Sequence, residues 1–297
     1  MPVGIDMGGT KIELRRFDPA FALSETERVE TPRSYPALLE TLVQLVQRHA
    51  PDPSAPVGFS VAGLVNPQTG LVVANNHPGH GHPLPTDLAR ELGRPISYLN
   101  DCRALALSEA QFGAGQGCRV VAGVVLGTGV SAGVVIDGAL RDGPSGTGGE
   151  IGQIDASARL LQKHRLPVWD GGADARCEAY VSGPGLARIA RHLTGHDLTP
   201  EDIATLRRGD MAPVWAAWCD IAAHMLLGLT LTLDPDVIVL GGGLSKIDGV
   251  IPDLEAAMSA QQFGPFGSSP LALAAAGDAS GARGAAYAAT AGLGRIG

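Results

Sequence analysis

The sequence is poor in the residues that mark several common protein classes. Aromatic residues make up only 4% of the chain, and its four cysteines (Cys102, Cys118, Cys177 and Cys219) form no CxxC pair. Thiols without that spacing are typical of a reduced cytosolic protein rather than of a disulfide framework. Acidic residues outnumber Lys and Arg by 30 to 22, which gives a net charge of −8. Since nucleic-acid binding depends on clustered positive charge, we expect no nucleic-acid partner.

Long apolar runs and a leader segment are also missing. The stretch from Ile221 to Leu233 is apolar but falls short of the roughly 20 residues that a membrane-spanning helix requires. The chain opens directly into a strand-like segment, with no charged or apolar signal before it. We therefore expect a cytoplasmic protein without membrane contact.

Glycine, in contrast, is abundant, with 41 residues among 297. The segment GIDMGGTKIEL (4–14) joins two β-prone runs by a glycine turn, and GVVLGTGVSAGVV (123–135) repeats that arrangement in the second half of the chain. A buried strand, DVIVL, then ends in three further glycines. Gly-Gly satisfies the positive φ angles of a hairpin turn, but a hairpin alone does not explain the acidic residue, hydroxyl and lysine around the first turn.

Phosphate binding explains these residues together. Phosphates are held by backbone N–H groups that a side chain would screen, supplemented by hydroxyl and ammonium donors. An acidic residue beside them suits a divalent cation or its waters. The chain has no GxxxxGK[ST] motif, so this is not a P-loop. The predicted nucleotide-binding residues are Asp6, Gly8, Gly9, Thr10, Lys11, Gly127, Thr128, Gly129, Gly241, Gly242 and Gly243.

Phosphoryl transfer to a hydroxyl also needs a base, and Asp101 is the best candidate. It ends the strand PISYLN and opens a helix, which places it at the carboxyl edge of a sheet, where α/β proteins bind ligands. Asp is equally favoured as a helix N-cap, and the residues alone leave both roles open.

The repeated turn predicts two α/β domains that face a shared cleft. We expect a smaller N-terminal domain over 1–117 and a larger one over 118–280, with GAGQG (113–117) as the linker. The small apolar residues of the tail predict a closely packed helix over 281–297, which returns to the first domain.

Six segments resemble, in order and spacing, the ROK family of bacterial sugar kinases and related repressors: GIDMGGTKIEL, NDCRALALSEA, LGTGVSAGVVIDG, GGEIGQ, CEAYVSG and LDPDVIVLGGGLS. The resemblance implies an actin-like fold of two ribonuclease H-like domains, a homodimer, and an ATP- and Mg²⁺-dependent hexose kinase acting on a primary hydroxyl, usually O6. It implies Asp101 as the base and the N-acetylglucosamine kinases as the nearest subfamily. The implied sugar-binding residues are Gly63, Asn75, Asn100, Asp101, Glu150, Gln153 and Glu178.

The chain departs from this family at its structural zinc site. Gln153 stands in place of the expected histidine, and Trp169, Gly171 and Arg176 stand in place of the three cysteines. A tetrahedral zinc site needs four donors, so we expect no zinc. The loop from 155 to 176 would then be ordered by apolar anchors, and Asp170, Asp174 and His164 are the less favoured basis for another metal site. The predicted anchors are Leu160, Leu161, Leu166 and Trp169.

Other features leave alternatives open. Arg103 replaces an asparagine common in the kinases, and is either a helix-surface residue or a substrate contact. His77, His80 and His82 either bind a metal or, as we favour, lie in a loop at the edge of the substrate site. The competing functions are kinases of glucose, fructose or N-acetylmannosamine, a non-catalytic sugar sensor and, least favoured, a phosphohydrolase. Family repressors carry a helix-turn-helix before this domain, and the acidic charge speaks against DNA binding.

Overall fold

A computed structural model of the chain describes residues 1–169 and 174–297. The first of two large sheets has three central parallel strands, which are almost wholly buried because both faces are covered. Its strands run in the spatial order 13, 7, 4, 1, 2, 3 when numbered along the chain. They are β1 (Val3–Met7), β2 (Lys11–Phe17), β3 (Leu23–Glu30), β4 (Val57–Val61), β7 (Ile96–Asn100) and β13 (Arg295–Ile296).

The second large sheet repeats part of this arrangement. Its strands are β8 (Val120–Leu126), β9 (Val130–Ile136), β10 (Ala139–Leu140), β11 (Val237–Gly241) and β12 (Leu271–Leu273), in the order β10, β9, β8, β11, β12. β8 is antiparallel to β9 and parallel to β11, as β1 is antiparallel to β2 and parallel to β4. The two predicted turns are therefore equivalent hairpin turns at the ends of equivalent strands. A small hairpin, β5 (Leu64–Val65) with β6 (Val72–Val73), stands apart from both sheets.

The helices cover the two sheets and separate them. They are α1 (Tyr35–His49), α2 (Leu84–Leu92), α3 (Asp101–Phe112), α4 (Ala158–Lys163), α5 (Glu178–Val181), α6 (Gly183–Thr194), α7 (Pro200–Leu206), α8 (Ala212–Leu233), α9 (Val250–Ser259) and α10 (Ser280–Ala291).

The expectation about apolar runs was wrong in one respect. Helix α8 has 22 residues and is long and apolar enough, by length and composition, to cross a membrane. The apolar run begins well before Ile221, at residues such as Trp215 and Trp218. Two-thirds of its most apolar window is buried inside the protein, as in the core helix of a globular protein. Trp218 is fully buried and donates from Nε1 to the backbone oxygen of Val181 at 2.9 Å.

Glycines let α3 and α10 lie flat between the two sheets. A Cβ at Gly4 of β1 would stand 1.8 Å from the backbone oxygen of Ala282 in α10. A Cβ at Gly284 of α10 would stand 1.9 Å from the backbone oxygen of Ala104 in α3. The stack of sheet, helix, helix and sheet thus depends on backbone contacts that any side chain would prevent, and these account for part of the glycine excess.

We expect Gly284→Ala to lower the free energy of unfolding by about 1–3 kcal/mol, because the added methyl overlaps the α3 backbone. Gly228→Ala is the matched control, since Gly228 is also helical and its Cβ would meet nothing within 4 Å. That variant should gain about 0.5–1 kcal/mol of helix propensity. Urea unfolding of both variants measures the difference, and equal stability of the two would refute this packing argument.

The C-terminal helix is shorter than predicted. α10 ends at Ala291, where Gly292 adopts a left-handed φ of 72°, and β13 then pairs with β7 in the first sheet. The division into domains at 117/118 and 280/281 stays a proposal.

Candidate active site

Asp6 lies near the carboxyl end of β1, against the first turn of α10. Ser60 Oγ in the neighbouring β4 donates to Asp6 Oδ1 at 2.6 Å, and a Cβ at Gly281 would stand 2.6 Å from the same oxygen. Burial raises the pKa of Asp6 to about 6, and the carboxylate of Asp101 adds to the rise, while Ser60 and Lys11 oppose it. A cation placed beside this buried carboxylate would stabilise its ionised form.

This raised pKa predicts how stability depends on pH. Asp6 binds its proton more tightly in the folded chain than in the unfolded chain. Its contribution is therefore present below pH 4 and is lost as pH rises through about 6. We expect Asp6→Asn to match the wild type near pH 4 and to exceed it by about 1–3 kcal/mol at pH 8. Thermal unfolding of the ligand-free proteins across this range tests the prediction, with Glu255→Gln on exposed α9 as control. A difference in stability between Asp6→Asn and the wild type that does not change with pH would contradict the prediction.

Asp101 begins α3 directly after β7. The N-cap is Asn100, whose Oδ1 accepts from the Cys102 amide at 2.9 Å, while its Nδ2 donates to the Gly63 backbone oxygen at 3.0 Å. Asp101 Oδ1 receives the same amide at 2.9 Å, so it shares the cap but is not needed for it. Burial raises the pKa of Asp101, and the Cys102 donors oppose the rise.

Glu150 is fixed by two glycines that bring its segment onto β9. A Cβ at Gly149 would stand 1.9 Å from the Ala132 backbone oxygen, and one at Gly152 would stand 2.1 Å from the Val130 backbone oxygen. The Ala132 amide also donates to the Gly149 oxygen at 2.7 Å. The motif GGEIG therefore holds Glu150 against the strand that follows the second glycine turn.

Three carboxylates meet beside that strand. Burial raises the pKa of Glu150 to about 7, Arg103 opposes the rise, and Asp101 and Glu178 add to it. Glu178 Oε2 accepts from the Val130 amide at 2.7 Å, at the end of the second turn. The structure thus brings together Asp101, Glu150 and Glu178, three of the residues that the family resemblance implies as sugar ligands.

The first glycine turn is tied to two later segments. The Gly8 amide donates to the Lys11 backbone oxygen at 3.0 Å, and Thr31 Oγ1 donates to the Gly8 oxygen at 2.8 Å. A Cβ at Gly9 would stand 2.5 Å from the Asn76 backbone oxygen. Thr10 and Lys11 are exposed.

The second turn and the triple glycine form one surface. β8 and β11 are parallel, with Val125 opposite Gly241, so their carboxyl ends coincide. Gly242 has a φ of 86°, and its Cβ would stand 2.4 Å from the Leu126 backbone oxygen. The Gly127 amide donates to the Gly129 oxygen at 3.1 Å, and Thr128 and Gly129 are exposed.

Two predicted sugar ligands lie at the surface, although the Gln153 amide donates to the Glu150 backbone oxygen at 3.0 Å. Asn75 and Gln153 are exposed, and within the described chain neither side chain has a hydrogen bond to another predicted site residue. Sequence reasoning missed Ser60, Asn76 and the structural role of His77. Ser60 could have been found from its register, because it stands directly opposite Asp6.

The three histidines of the HPGHGH loop have separate partners. His77 Nε2 lies 2.8 Å from the Ala62 backbone oxygen, its Nδ1 accepts from the Gly79 amide, and burial lowers its pKa. His80 Nδ1 accepts from the Ala74 amide at 3.3 Å. His82 stacks on Tyr35 with ring centroids 3.8 Å apart. Over residues 1–169 and 174–297, no group of three or more His, Cys, Asp or Glu side chains is arranged to hold a metal.

The predicted apolar anchors pack against the core in the described part of the loop after Glu150. Leu160, Leu161 and Leu166 are buried in the core of the second half. Trp169 stacks on Tyr180 at 5.6 Å. His164 Nε2 lies 2.7 Å from Asp220 Oδ2, so it is engaged elsewhere. Asp170 and Gly171 lie outside the described residues, and Asp174 forms a bridge to Trp169.

We expect Trp169→Ala to destabilise this loop by about 2–4 kcal/mol, because it removes the stacking on Tyr180 and the contact with the Arg188 guanidinium 5.5 Å away. Trp169→Phe retains a ring and should lose less. EDTA should leave Tm unchanged in the wild type. Stoichiometric zinc in the purified protein, or a fall in Tm on chelation, would refute metal-free ordering.

Comparison with known proteins identifies the family to which this chain belongs. A family model described as the ROK family matches residues 2–291. The chain belongs to the ROK family. The N-acetylgalactosamine kinase of Shewanella sp. (strain ANA-3) is 37% identical, with 96% of each chain covered. The N-acetyl-D-glucosamine kinase of Pasteurella multocida (strain Pm70) is 36% identical, covering 96% of this chain and 98% of its own.

Solved structures of ROK proteins share the fold. The ROK hexokinase of Thermus thermophilus has a TM-score of 0.85 at 27% identity, covering 98% of both chains. A ROK family glucokinase of Streptomyces griseus, in complex with glucose and AMPPNP, has a TM-score of 0.79 at 26% identity, covering 98% of this chain and 99% of its own. The predicted family and the predicted actin-like α/β fold are confirmed.

Proposed function

We propose that this ROK protein transfers the γ-phosphoryl group of ATP to O6 of N-acetylglucosamine, with Asp101 as general base. The chain is a carbohydrate kinase, as predicted, because relatives 36–37% identical across 96% of its length are N-acetylhexosamine kinases. The observation that carries the proposal is the setting of Asp101. It is a carboxylate of raised pKa at the carboxyl edge of the first sheet, close to Asp6 on one side and to Glu150 on the other.

Asp101 accepts the proton of the attacking hydroxyl as its oxygen bonds to the γ-phosphorus, while the bond from that phosphorus to the β–γ bridging oxygen breaks and ADP leaves. A raised pKa suits this role, since a base works best with a pKa near the working pH. The Cys102 amide fixes the carboxylate at Oδ1. Closure of the site around the sugar would exclude water, which would otherwise compete as acceptor of the phosphoryl group.

The sugar ring is held between the two halves. Glu150 and Glu178 of the second half accept hydrogen bonds from sugar hydroxyls. Asn100 contributes the hydrogen-bonding capacity of its amide that Cys102 and Gly63 leave unused. Asn75 and Gln153 are proposed to engage only when sugar is present, since both are exposed. A sugar of the wrong epimer leaves a buried polar group unpaired and is rejected.

ATP is held by the two glycine turns and the triple glycine. The amides of Gly8 and Gly127 are used inside their own turns, so the proposed phosphate donors are the amides that follow. These donors are Gly9, Thr10, Thr128 and Gly129, with the Lys11 ammonium beside the first turn. Gly241, Gly242 and Gly243 let the nucleotide approach the β11 backbone.

Asp6 is proposed to hold Mg²⁺, directly or through water. The burial and the nearby carboxylates that raise the pKa of Asp6 also mean that a bound cation would stabilise its ionised form. The Gly8–Lys11 turn begins two residues after Asp6. Bound there, Mg²⁺ neutralises phosphate charge. The proposal includes no structural zinc.

The test is an ADP-release assay with Mg-ATP and a sugar panel. N-acetylglucosamine should give the highest kcat/KM, and its 6-deoxy analogue should inhibit without being phosphorylated. Preference for N-acetylgalactosamine, N-acetylmannosamine, glucose or fructose would replace the substrate but keep the kinase. Sugar binding without ADP release from any sugar would refute the kinase and favour the sensor.

We also propose a cytoplasmic homodimer. Leu231, Phe263 and Phe266 are 69%, 71% and 63% exposed, and apolar surface of this kind supports burial against another copy. Light scattering on the purified protein gives the mass, and a monomer at micromolar concentration would refute the dimer.

A further inference from the structure

Arg103 does not occupy the exposed helix-surface position that is one of the two alternatives for it. It lies in the first turn of α3, two residues after Asp101, and only 13% of its side chain is exposed. It is therefore not a helix-surface residue. Its guanidinium points instead to protein groups in the segment between β10 and Glu150, residues 142–148.

The guanidinium fastens this segment by three contacts, one of which is a long hydrogen bond from Nη2 to the Gly148 backbone oxygen at 3.5 Å. Arg103 Nη2 donates to the Gly146 backbone oxygen at 2.7 Å, and Arg103 Nε lies 3.4 Å from Asp142 Oδ1. The Asp142 Oδ1 atom is buried and has no hydrogen bond within the described chain, while 45% of the Asp142 side chain is exposed, so the ion pair with Arg103 is partly solvated. An arginine in contact with both ends of a short segment fixes its shape as well as its position.

The fastened segment reaches the other half of the molecule. A Cβ at Gly146 would stand 3.5 Å from the Val65 backbone oxygen and 3.6 Å from Pro67 Cδ, which belong to β5 and its turn. Segment 142–148 follows β10 of the second sheet, whereas β5 follows Gly63 at the carboxyl edge of the first sheet. Arg103 thus holds a bridge between the two walls of the proposed sugar pocket.

The same charge acts on the pocket itself. Glu150 follows this segment directly, and Asp101 of α3 and Glu178 of α5 raise its pKa, as does its burial. Arg103 is the cation that opposes them, and the buried Cys102 thiol also faces Glu150. Without Arg103, segment 142–148 would lose its contacts to α3, and the pKa of Glu150 would rise further.

We propose that Arg103 is a positioning residue for sugar binding, which tethers segment 142–148 across the pocket and places a cation beside Glu150. This role rests on the proposed function, because it assigns Glu150 to the sugar. It gives this chain a means of building the sugar pocket that uses an arginine where the resembling kinases commonly have asparagine.

Two substitutions separate the tether from the charge. Arg103→Met removes both, and we expect the KM for the sugar to rise about 10-fold, with a smaller change in kcat. The acid limb of kcat/KM should also move upward by about 0.5–1 pH unit, because Glu150 loses its cation. Arg103→Lys keeps the positive charge but lacks the planar guanidinium and its several donors. The acid limb of kcat/KM should therefore stay near its wild-type pH, while the KM for the sugar rises. Arg119→Met, at an exposed ion pair, is the control.

Hydrogen–deuterium exchange of segment 142–148 provides a readout that does not depend on turnover. It should quicken in Arg103→Met and stay unchanged in Arg119→Met. Unchanged exchange would overturn the tether. An acid limb shifted equally in Arg103→Lys and Arg103→Met would overturn the charge role, and a wild-type KM in Arg103→Met would overturn both. If the wild type itself releases no ADP with any sugar, the proposed function fails, and exchange together with sugar-binding titrations decides on Arg103 alone.

Discussion

Asp101→Asn is expected to lower kcat for sugar phosphorylation by about 10²–10⁴-fold, the usual contribution of a positioned general base. Asn retains an oxygen that can accept the Cys102 amide bonded to Asp101 Oδ1 at 2.9 Å, so α3 should stay capped. Asn100 Oδ1 accepts the same amide, which protects the helix further. KM for the sugar should therefore change much less than kcat. Steady-state kinetics at saturating ATP measures both.

The pH profile separates this role from a general loss of structure. The wild type should lose kcat as pH falls and the Asp101 carboxylate takes up a proton, a fall made earlier by its raised pKa. The residual rate of Asp101→Asn should lack that fall. Asp137→Asn is the control, because Asp137 is exposed, pairs with Arg119 and has a positive φ of 50° that Asn tolerates. If Asp101→Asn keeps more than about a tenth of the wild-type kcat, Asp101 is not the base.

Local chemistry explains why much of the site was predictable. A glycine turn between two β-prone runs identifies a hairpin from a few adjacent residues, and both predicted turns fall at β1–β2 and β8–β9. A polar residue at the end of an apolar strand lies at the sheet edge, and Asp101 follows β7 there. These inferences need only short-range sequence and the geometry of strands.

Contacts between distant segments were not predictable in the same way. Arg103 meets Gly146 across 43 residues, and nothing in either local sequence shows the partner. His77 carries the metal-like spacing of its loop, yet its Nε2 lies 2.8 Å from the Ala62 backbone oxygen. Strand β3 was missed because it is an edge strand with alternating exposure and many charged side chains, which weakens the apolar pattern.

Glycines outside the turns also determine how closely the elements around the site pack. Gly133 of β9 would place a Cβ 2.4 Å from the Cys102 backbone oxygen, directly beside Asp101. The residue that lets β9 approach α3 thereby helps to bring Ser131 Oγ within 2.6 Å of Cys102 Sγ. The positions of the catalytic candidate and of the second glycine turn are thus coupled through backbone contacts, which conventional side-chain patterns do not reveal.

Glu109→Ala is expected to lower the free energy of unfolding by about 3–5 kcal/mol, the largest stability effect that we predict. Glu109 is fully buried near the end of α3. It accepts from the Ala114 amide at 3.1 Å, in the connection that leaves the first half. It also accepts from the Ala275 amide and from Ser280 Oγ, both at 2.9 Å, in the connection that returns to it. One carboxylate therefore ties together both chain crossings between the sheets.

Truncation leaves these donors buried without an acceptor, and each unsatisfied group costs about 1–3 kcal/mol. Arg283, 3.6 Å from Glu109 Oε1, would also lose its partner. Glu109→Gln keeps one acceptor oxygen but places an NH₂ group opposite other donors. Its free energy of unfolding should therefore lie between those of Glu109→Ala and the wild type. Glu255→Ala, an exposed glutamate on α9, should stay within about 0.5 kcal/mol of the wild type. Because both crossings share this residue, its loss should reduce cooperativity between the halves, and guanidinium unfolding of Glu109→Ala should broaden or split. A single transition with wild-type midpoint would show that the two crossings hold without it.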